Sequence, residues 1–135
     1  MKTIAVSASK KNLDGPVGGV FGRARFFILA DPETGEWEAL DNLSNLFARQ
    51  QIGVNTAQAI IERNIRTVMT GKCGAKAFEK LQAAGIEVFL NTRGTVRQAL
   101  EKLIRGEIVP ATVPNVQKAH GPLRWQVIPG DSGQT

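Results

Sequence analysis

Cys73 and His120 are the only thiol and the only imidazole of the chain. A conventional iron–sulfur cluster needs about four thiolates and a structural zinc site about four Cys or His ligands, so a metal centre held by one copy of this chain cannot depend mainly on protein ligation. Positive charge and bare backbone are more plentiful. The stretch GPVGGVFGRAR, residues 15–25, places Gly15, Gly18, Gly19 and Gly22 ahead of Arg23 and Arg25, with Lys10 and Lys11 just upstream. Glycine loses more conformational entropy on folding than other residues and buries no side chain, so this density marks a backbone shaped for something other than packing. Successive N–H groups in a glycine-rich turn can form a nest for an anion, and Arg23, Arg25, Lys10, Lys11 and Lys72 can supply countercharge. Plainer readings stand beside these: Arg23 as a surface partner of nearby acidic residues, Cys73 as a buried turn residue without chemistry, His120 as a solvated residue of the tail.

Familiar catalytic patterns do not fit. The glycines have the wrong spacing for G-x-G-x-x-G, and Gly71-Lys72 lacks both the upstream glycine and the following Ser or Thr of a P-loop. Cys73 has no arginine six residues on, which excludes a cysteine-phosphatase loop. A two-metal nuclease needs several acids converging from strand ends, yet TIAVSAS carries none. With no tyrosine, and its Phe and Trp residues falling mostly within strand, helix or turn patterns, the chain offers no stacking platform for nucleic acid.

The elements that must position these residues read as follows. KTIAVSAS is a first strand followed by a long loop, and RFFILADPETGEWEALDN is a hairpin with its turn at Asp31-Pro32-Glu33-Thr34-Gly35. GVNTAQAIIERN places Val54, Ala57 and Ile61 on one helical face, with Ile60 beside them. RTVMTG is a short strand, GAKAFEKLQAAG a helix ending at Gly85, and IEVFLN another strand. In TVRQALEKLIRG, Val96, Ala99, Leu100, Leu103 and Ile104 form an apolar stripe; Thr95 and Gln98 fit a capping box, and Gly106 ends the helix. The order implies an α/β layer on a mixed sheet whose later strands run parallel. The loop after Ser9, the Thr70–Gly74 turn and the Asn91–Gly94 turn then share one rim, where ligands of such sheets gather. Helix N-termini after Gly74 and Thr95 add partial positive charge.

At 135 residues the chain is about one domain long, and 42% hydrophobic with 21% charged residues is ordinary globular usage. No apolar run is long enough to span a bilayer, and one cysteine fits a reducing compartment, so a cytoplasmic protein is expected. The net charge of +5 is uneven: residues 26–41 carry five acidic and no basic side chains, which the hairpin should turn to solvent, while residues 42–107 carry ten basic and five acidic ones. From residue 108 to 135 periodicity stops and prolines accumulate, so an extended tail, with Trp125 as a contact back to the core, is expected after a domain of residues 1–107.

Four segments together carry a resemblance: MKTIAVSAS, LDGPVGGVFGRARFFILADPETGEWE, GVNTAQAIIERNIRTVMTGKCGAKAFEKLQAAGIEVFL and GTVRQALEKLIRGEI. They are similar to the dinitrogenase iron-molybdenum cofactor biosynthesis family, which takes in nitrogenase accessory carriers and orange-protein-like chains. The resemblance implies a ribonuclease H-like α/β fold with a mixed sheet of about five strands and helices packed on it, but no nuclease activity. It implies a molybdenum-containing metal–sulfur cluster, Mo-Fe-S or Mo-Cu-S, carried as a preformed anion, with cofactor-assembly or acceptor proteins as partners and neither nucleic acid nor membrane. On this view Gly18, Gly19, Gly22, Arg23, Lys72, Cys73 and Gly74 cradle the cluster, and Cys73 and His120 are the candidate metal ligands. Many members have His or Arg before F-G-R, where this chain has Val20; members often show His-Gly near the start of the first helix, where it has Gln50, Gln51 and Gly53. A non-enzymatic carrier is the leading expectation. The alternative is a metal-free interaction or regulatory module on the same scaffold.

Overall fold

The computed structural model describes residues 1–48 and 50–116; the expectations for His120 and Trp125 lie outside the described residues. Five strands form one mixed sheet: β1 (Ile4–Ala8), β2 (Phe26–Ala30), β3 (Trp37–Asp41), β4 (Thr67–Met69) and β5 (Glu87–Phe89), in the order β3-β2-β1-β4-β5. β1 pairs antiparallel with β2, and β2 with β3, as a hairpin requires; β1, β4 and β5 are mutually parallel, as helical crossovers require.

Both faces of the sheet are covered, which is why IAVSA and FFILA are buried throughout and do not alternate with polar residues. α2 (Ile52–Ile61) and α3 (Ala75–Ala83) lie on one face with Ala5, Phe27, Leu29, Val68 and Val88. α4 (Val96–Ile104) lies on the other with Ile4, Val6, Ile28, Met69 and Phe89. Phe21 and Phe27 meet edge to face with ring centroids 5.3 Å apart, both fully buried. Burial of each such ring contributes about 1.5–3 kcal/mol, so Phe27→Ala would open one of the costliest holes available, about 3–5 kcal/mol.

The capping box of α4 is present as expected. Gln98 N–H donates to Thr95 Oγ1 at 3.1 Å and Thr95 N–H donates to Gln98 Oε1 at 3.0 Å. Val96 and Ala99 are buried, with Leu100 and Leu103 packed against that core, but Ile104 is 65% exposed. It occupies the last position of the helix. On α2 Ala57 and Ile60 are buried as expected, but Val54 and Ile61 are only partly buried and Thr56 completes the buried face. Thr56 is drawn inward by polar partners: Asn42 Nδ2 donates to its hydroxyl at 3.2 Å and to Ala24 O at 2.9 Å.

Asn42 also precedes α1 (Leu43–Leu46), a single turn that no periodicity announces. In the hairpin, Glu33, Glu36, Glu38 and Asp41 face solvent, but Asp31 is buried. Its Oδ1 accepts the Glu33 and Thr34 N–H groups, closing the turn from inside.

Candidate functional site

The loops that follow β1, β4 and β5 meet at one rim and are laced together through main-chain atoms. Phe21 N–H donates to Lys72 O at 2.8 Å, and Lys72 N–H returns to Gly19 O at 2.8 Å. Asn91 N–H donates to Gly71 O, and Val17 N–H to Gly94 O. Beneath them the Ser7 hydroxyl, fully buried, lies 2.9 Å from Gly18 O and 2.8 Å from Thr70 Oγ1. The rim is therefore a rigid base and not a set of independent loops.

Two of the glycines are explained by this lacing. A Cβ on Gly71 would lie 2.5 Å from Gly19 O, and one on Gly22 would lie 2.8 Å from the Cα of Gly53. Real Cβ atoms do not come so close, so glycine is needed where the backbones cross. Gly19 and Gly74, by contrast, face open space.

A 3₁₀ turn, Phe21–Arg23, rises from the glycine loop and packs on the start of α2. Between this turn, α2 and α3 lies a cavity of about 460 Å³. Val20, Gly22 and Arg23 line one wall, Gln51, Ile52, Gly53 and Val54 a second, and Gly74, Ala75, Lys76 and Ala77 a third, with Val116 at the edge. The first-turn N–H groups of any α-helix lack intrahelical acceptors. Neither Gln51 nor Gly74, the N-cap residues of α2 and α3, supplies a side-chain acceptor for them. The residues of these first turns, 52–54 and 75–77, line the cavity, and their N–H groups find no acceptor outside their own helix among the described residues. Two helix dipoles thus place their positive ends on one space. Gln51 holds φ 58, a left-handed conformation that a non-glycine residue adopts at a cost, at the point where the chain turns into α2.

Arg23 and Lys76 add formal charge to this wall, and neither forms an ion pair among the described residues. The acidic hairpin is paired instead by Lys2 with Glu38, by the Met1 amino group with Asp31, and by Arg25, whose Nε lies 3.2 Å from Asp41 Oδ1 and whose guanidinium lies 4.8 Å from the centroid of the Phe26 ring. The Arg25 hydrogen bond holds the Asp41 carboxyl below its ordinary range. Lys11 sits over the same ring, with Nζ 5.7 Å from its centroid.

The structure brings Gly22, Arg23 and Gly74 to the cavity and leaves Gly18, Gly19, Lys72 and Cys73 out of its lining. Gly18 and Lys72 lie beside it with their main chains engaged: Gly18 N–H donates to Ser7 O, and the Lys72 main chain binds the glycine loop. Cys73 is fully buried in the core on the α2–α3 face, and burial pushes its thiol up to about 12. As it stands, its sulfur is a neutral core group facing away from solvent, so ligation through it would require the rim to open. Among the described residues, no group of three or more His, Cys, Asp or Glu side chains could hold a metal ion. The site is an apolar cavity with cationic and N–H donors, suited to a preformed anion more than to a bare cation. The sequence reading missed Lys76 and the start of α2. A signal for the second was present, since Val20, Gln51 and Gly53, where this chain departs from the family pattern, all line the cavity.

A family model described as dinitrogenase iron-molybdenum cofactor matches residues 1–106. Among solved structures, the apo form of the orange protein from Desulfovibrio gigas is similar at 39% identity and a TM-score of 0.82, covering 85% of this chain and 97% of that one. A Thermotoga protein provisionally assigned as NifB is similar at 28% identity and a TM-score of 0.70, covering 82% of this chain and 93% of that one. A protein of Methanocaldococcus jannaschii, provisionally described as a dinitrogenase, shares the fold at 15% identity and a TM-score of 0.61, over 82% of this chain and 95% of that one. A comparison with functionally curated proteins returns no match. Among the described residues no helix is long and apolar enough to cross a membrane.

Proposed function

From the premise that this chain belongs to the dinitrogenase iron-molybdenum cofactor family, we propose that it is a non-enzymatic carrier of an anionic metal–sulfur cluster, cargo that it holds and passes on. The observation that carries this reading is the convergence of two uncapped helix N-termini on one cavity. N–H donors and helix dipoles bind anions without coordinating the metal, and a cluster whose surface is sulfide can be held in this way. Arg23 and Lys76 supply the countercharge, and Val20, Ile52, Val54, Ala75 and Val116 supply an apolar wall beside those donors.

The donor set supports cargo more than a permanently ligated centre. With no thiolate, imidazole or carboxylate among the described residues that line the cavity, these residues capture and release the cargo without making or breaking a protein–metal bond. A molybdenum–copper sulfide and an iron–molybdenum cluster both meet the requirement of a compact anion with a sulfide-rich surface. Cofactor-assembly or acceptor proteins in the cytoplasm are the partners this role calls for.

The test is reconstitution. Purified protein is mixed with tetrathiomolybdate and copper, or with isolated iron-molybdenum cofactor, passed through a desalting column, and assayed for retained metal and visible absorption. Wild type should elute coloured, with molybdenum, and an Arg23→Ala, Lys76→Ala double variant should elute largely stripped. Metal-free wild type with both cargoes, or equal retention by the double variant, would remove the basis of this reading.

A further inference from the structure

Beyond α4, residues 108–116 form a strap without helix or strand, and this strap is tied down at both ends. Ile108 packs on the α4-side core, and Ala111 N–H donates to Val88 O at 2.7 Å, covering the outer edge of β5. Asn115 then makes three side-chain hydrogen bonds to two different rim loops. Its Oδ1 accepts Cys73 N–H at 2.9 Å, and its Nδ2 donates to Gly71 O at 2.8 Å and to Asn91 Oδ1 at 3.0 Å. The next residue, Val116, pairs with Gly74 and forms the edge of the cavity.

An exposed asparagine rarely satisfies both ends of its amide on main-chain atoms, since water competes for each bond. Here every acceptor and donor belongs to the loop between β4 and α3 or to the loop after β5. The first of these loops sets the position of Gly74 and hence of the α3 N–H donors. The strap crosses it where the Asn115 side chain reaches Gly71, Cys73 and Asn91 together. Asn91 itself holds φ 58, a left-handed conformation that asparagine tolerates, which makes its carboxamide part of the same fastening.

We infer that Asn115 is a positioning residue: it latches the strap to the β4–α3 loop, holding the α3 N-terminus against the cavity and keeping Cys73 closed off. As a claim about cargo it rests on the carrier reading; as a claim about the rim it does not. Two measurements therefore separate the failures. The first uses no cargo: the rate at which Cys73 in native protein reacts with a disulfide thiol reagent, in wild type, Asn115→Ala, Asn91→Gly and Thr112→Ala. Thr112 lies on the same strap, is exposed, and makes no side-chain hydrogen bond among the described residues. Asn91→Gly keeps the left-handed backbone without strain and removes only one of the three bonds. Loss of the latch should raise the Cys73 rate about tenfold in Asn115→Ala, less in Asn91→Gly, and not at all in Thr112→Ala.

The second measurement is the rate of molybdenum loss from protein loaded with tetrathiomolybdate and copper, which should rise in the same order. An unchanged Cys73 rate in Asn115→Ala, or equal acceleration in Thr112→Ala, overturns the latch. Slower molybdenum loss from Asn115→Ala also overturns it, because the asparagine would then be competing with cargo for the Cys73 N–H. Should wild type retain no cluster, the carrier reading fails, and the Cys73 rates alone then support or overturn the latch.

Discussion

Gly22 and Gly53 meet backbone to backbone, so that a Cβ on Gly22 would lie 2.8 Å from the Cα of Gly53 and 3.1 Å from its nitrogen. The contact seats the 3₁₀ turn that carries Arg23 directly on the first turn of α2. Neither backbone can retreat, because the turn is pinned through Phe21 N–H to Lys72 O and α2 is packed on α3. Gly22→Ala should therefore cost about 1–3 kcal/mol, the usual range for forcing a methyl into a packed site. Gly19→Ala, with nothing within 4 Å of the added Cβ, should cost under about 1 kcal/mol. Urea midpoints of the two variants check this, and similar losses in both would show that the crossing is not tight.

The cations of this region divide by what they touch. Arg25 is engaged by Asp41 and Phe26, whereas Arg23 and Lys76 line the cavity. Arg23→Ala and Lys76→Ala should each weaken retention of a tetrathiomolybdate–copper cluster about tenfold, the worth of one charged hydrogen bond, and the loss should shrink as salt screens the charge. Arg25→Ala should leave retention within about twofold, since its charge is already spent on the hairpin. Molybdenum retained after desalting at low and high salt distinguishes the three.

Much of this fold was legible because its signals are local. The capping box at Thr95 and Gln98, the hairpin turn and the helix-ending Gly85 and Gly106, at φ 79 and 70, each involve residues a few positions apart. The shared rim followed from the alternation of strands and helices, since parallel strands put their following loops on one side. What stayed hidden depends on long-range partners. Nothing near Asn115 in sequence foretells that it will hold Cys73 N–H and Asn91 Oδ1. Likewise, the burial of Thr56 on α2 follows from Asn42, and the apolar period pointed elsewhere. The glycine loop reads as a nest, yet Gly22 in that loop and Gly71 in the facing turn are needed because other backbones press on them, a cause invisible until the loops are brought together.

Cys73 links pH to stability. Burial raises its thiol from 9.0 to about 12, so the folded chain keeps a proton that the unfolded chain gives up once the pH passes 9. The contribution is fully present below pH 9 and is lost progressively as the pH rises toward 12. The urea midpoint of wild type should accordingly fall faster between pH 9 and 11 than that of Cys73→Ala, with lysine titration common to both. Parallel curves would mean that the thiol is not held in the protonated core.

α4 offers a control that isolates stability from the cavity. Its N-terminus is closed by reciprocal bonds between Thr95 and Gln98, the opposite of the uncapped starts of α2 and α3, and it lies on the other face of the sheet. Thr95→Ala removes the hydroxyl that accepts Gln98 N–H and leaves that donor to water, at a cost of about 1 kcal/mol. For a chain of this length such a loss should lower the melting temperature by about 2–8 °C. Cluster retention should not change, because no residue of the cavity wall belongs to α4. The reverse holds for a designed cap at α3. Gly74→Asp places a carboxylate where the Ala75–Ala77 donors lack an acceptor, which should strengthen the helix by a few tenths of a kcal/mol to about 1 kcal/mol. The same carboxylate occupies the donors and adds negative charge to the wall, so retention should drop at least tenfold. Measuring melting temperature and retained molybdenum on both variants gives two independent shifts of opposite pattern: stability without retention moves in Thr95→Ala, and retention falls as stability holds or rises in Gly74→Asp. If Gly74→Asp kept its cluster, the helix N-termini would not be what binds it.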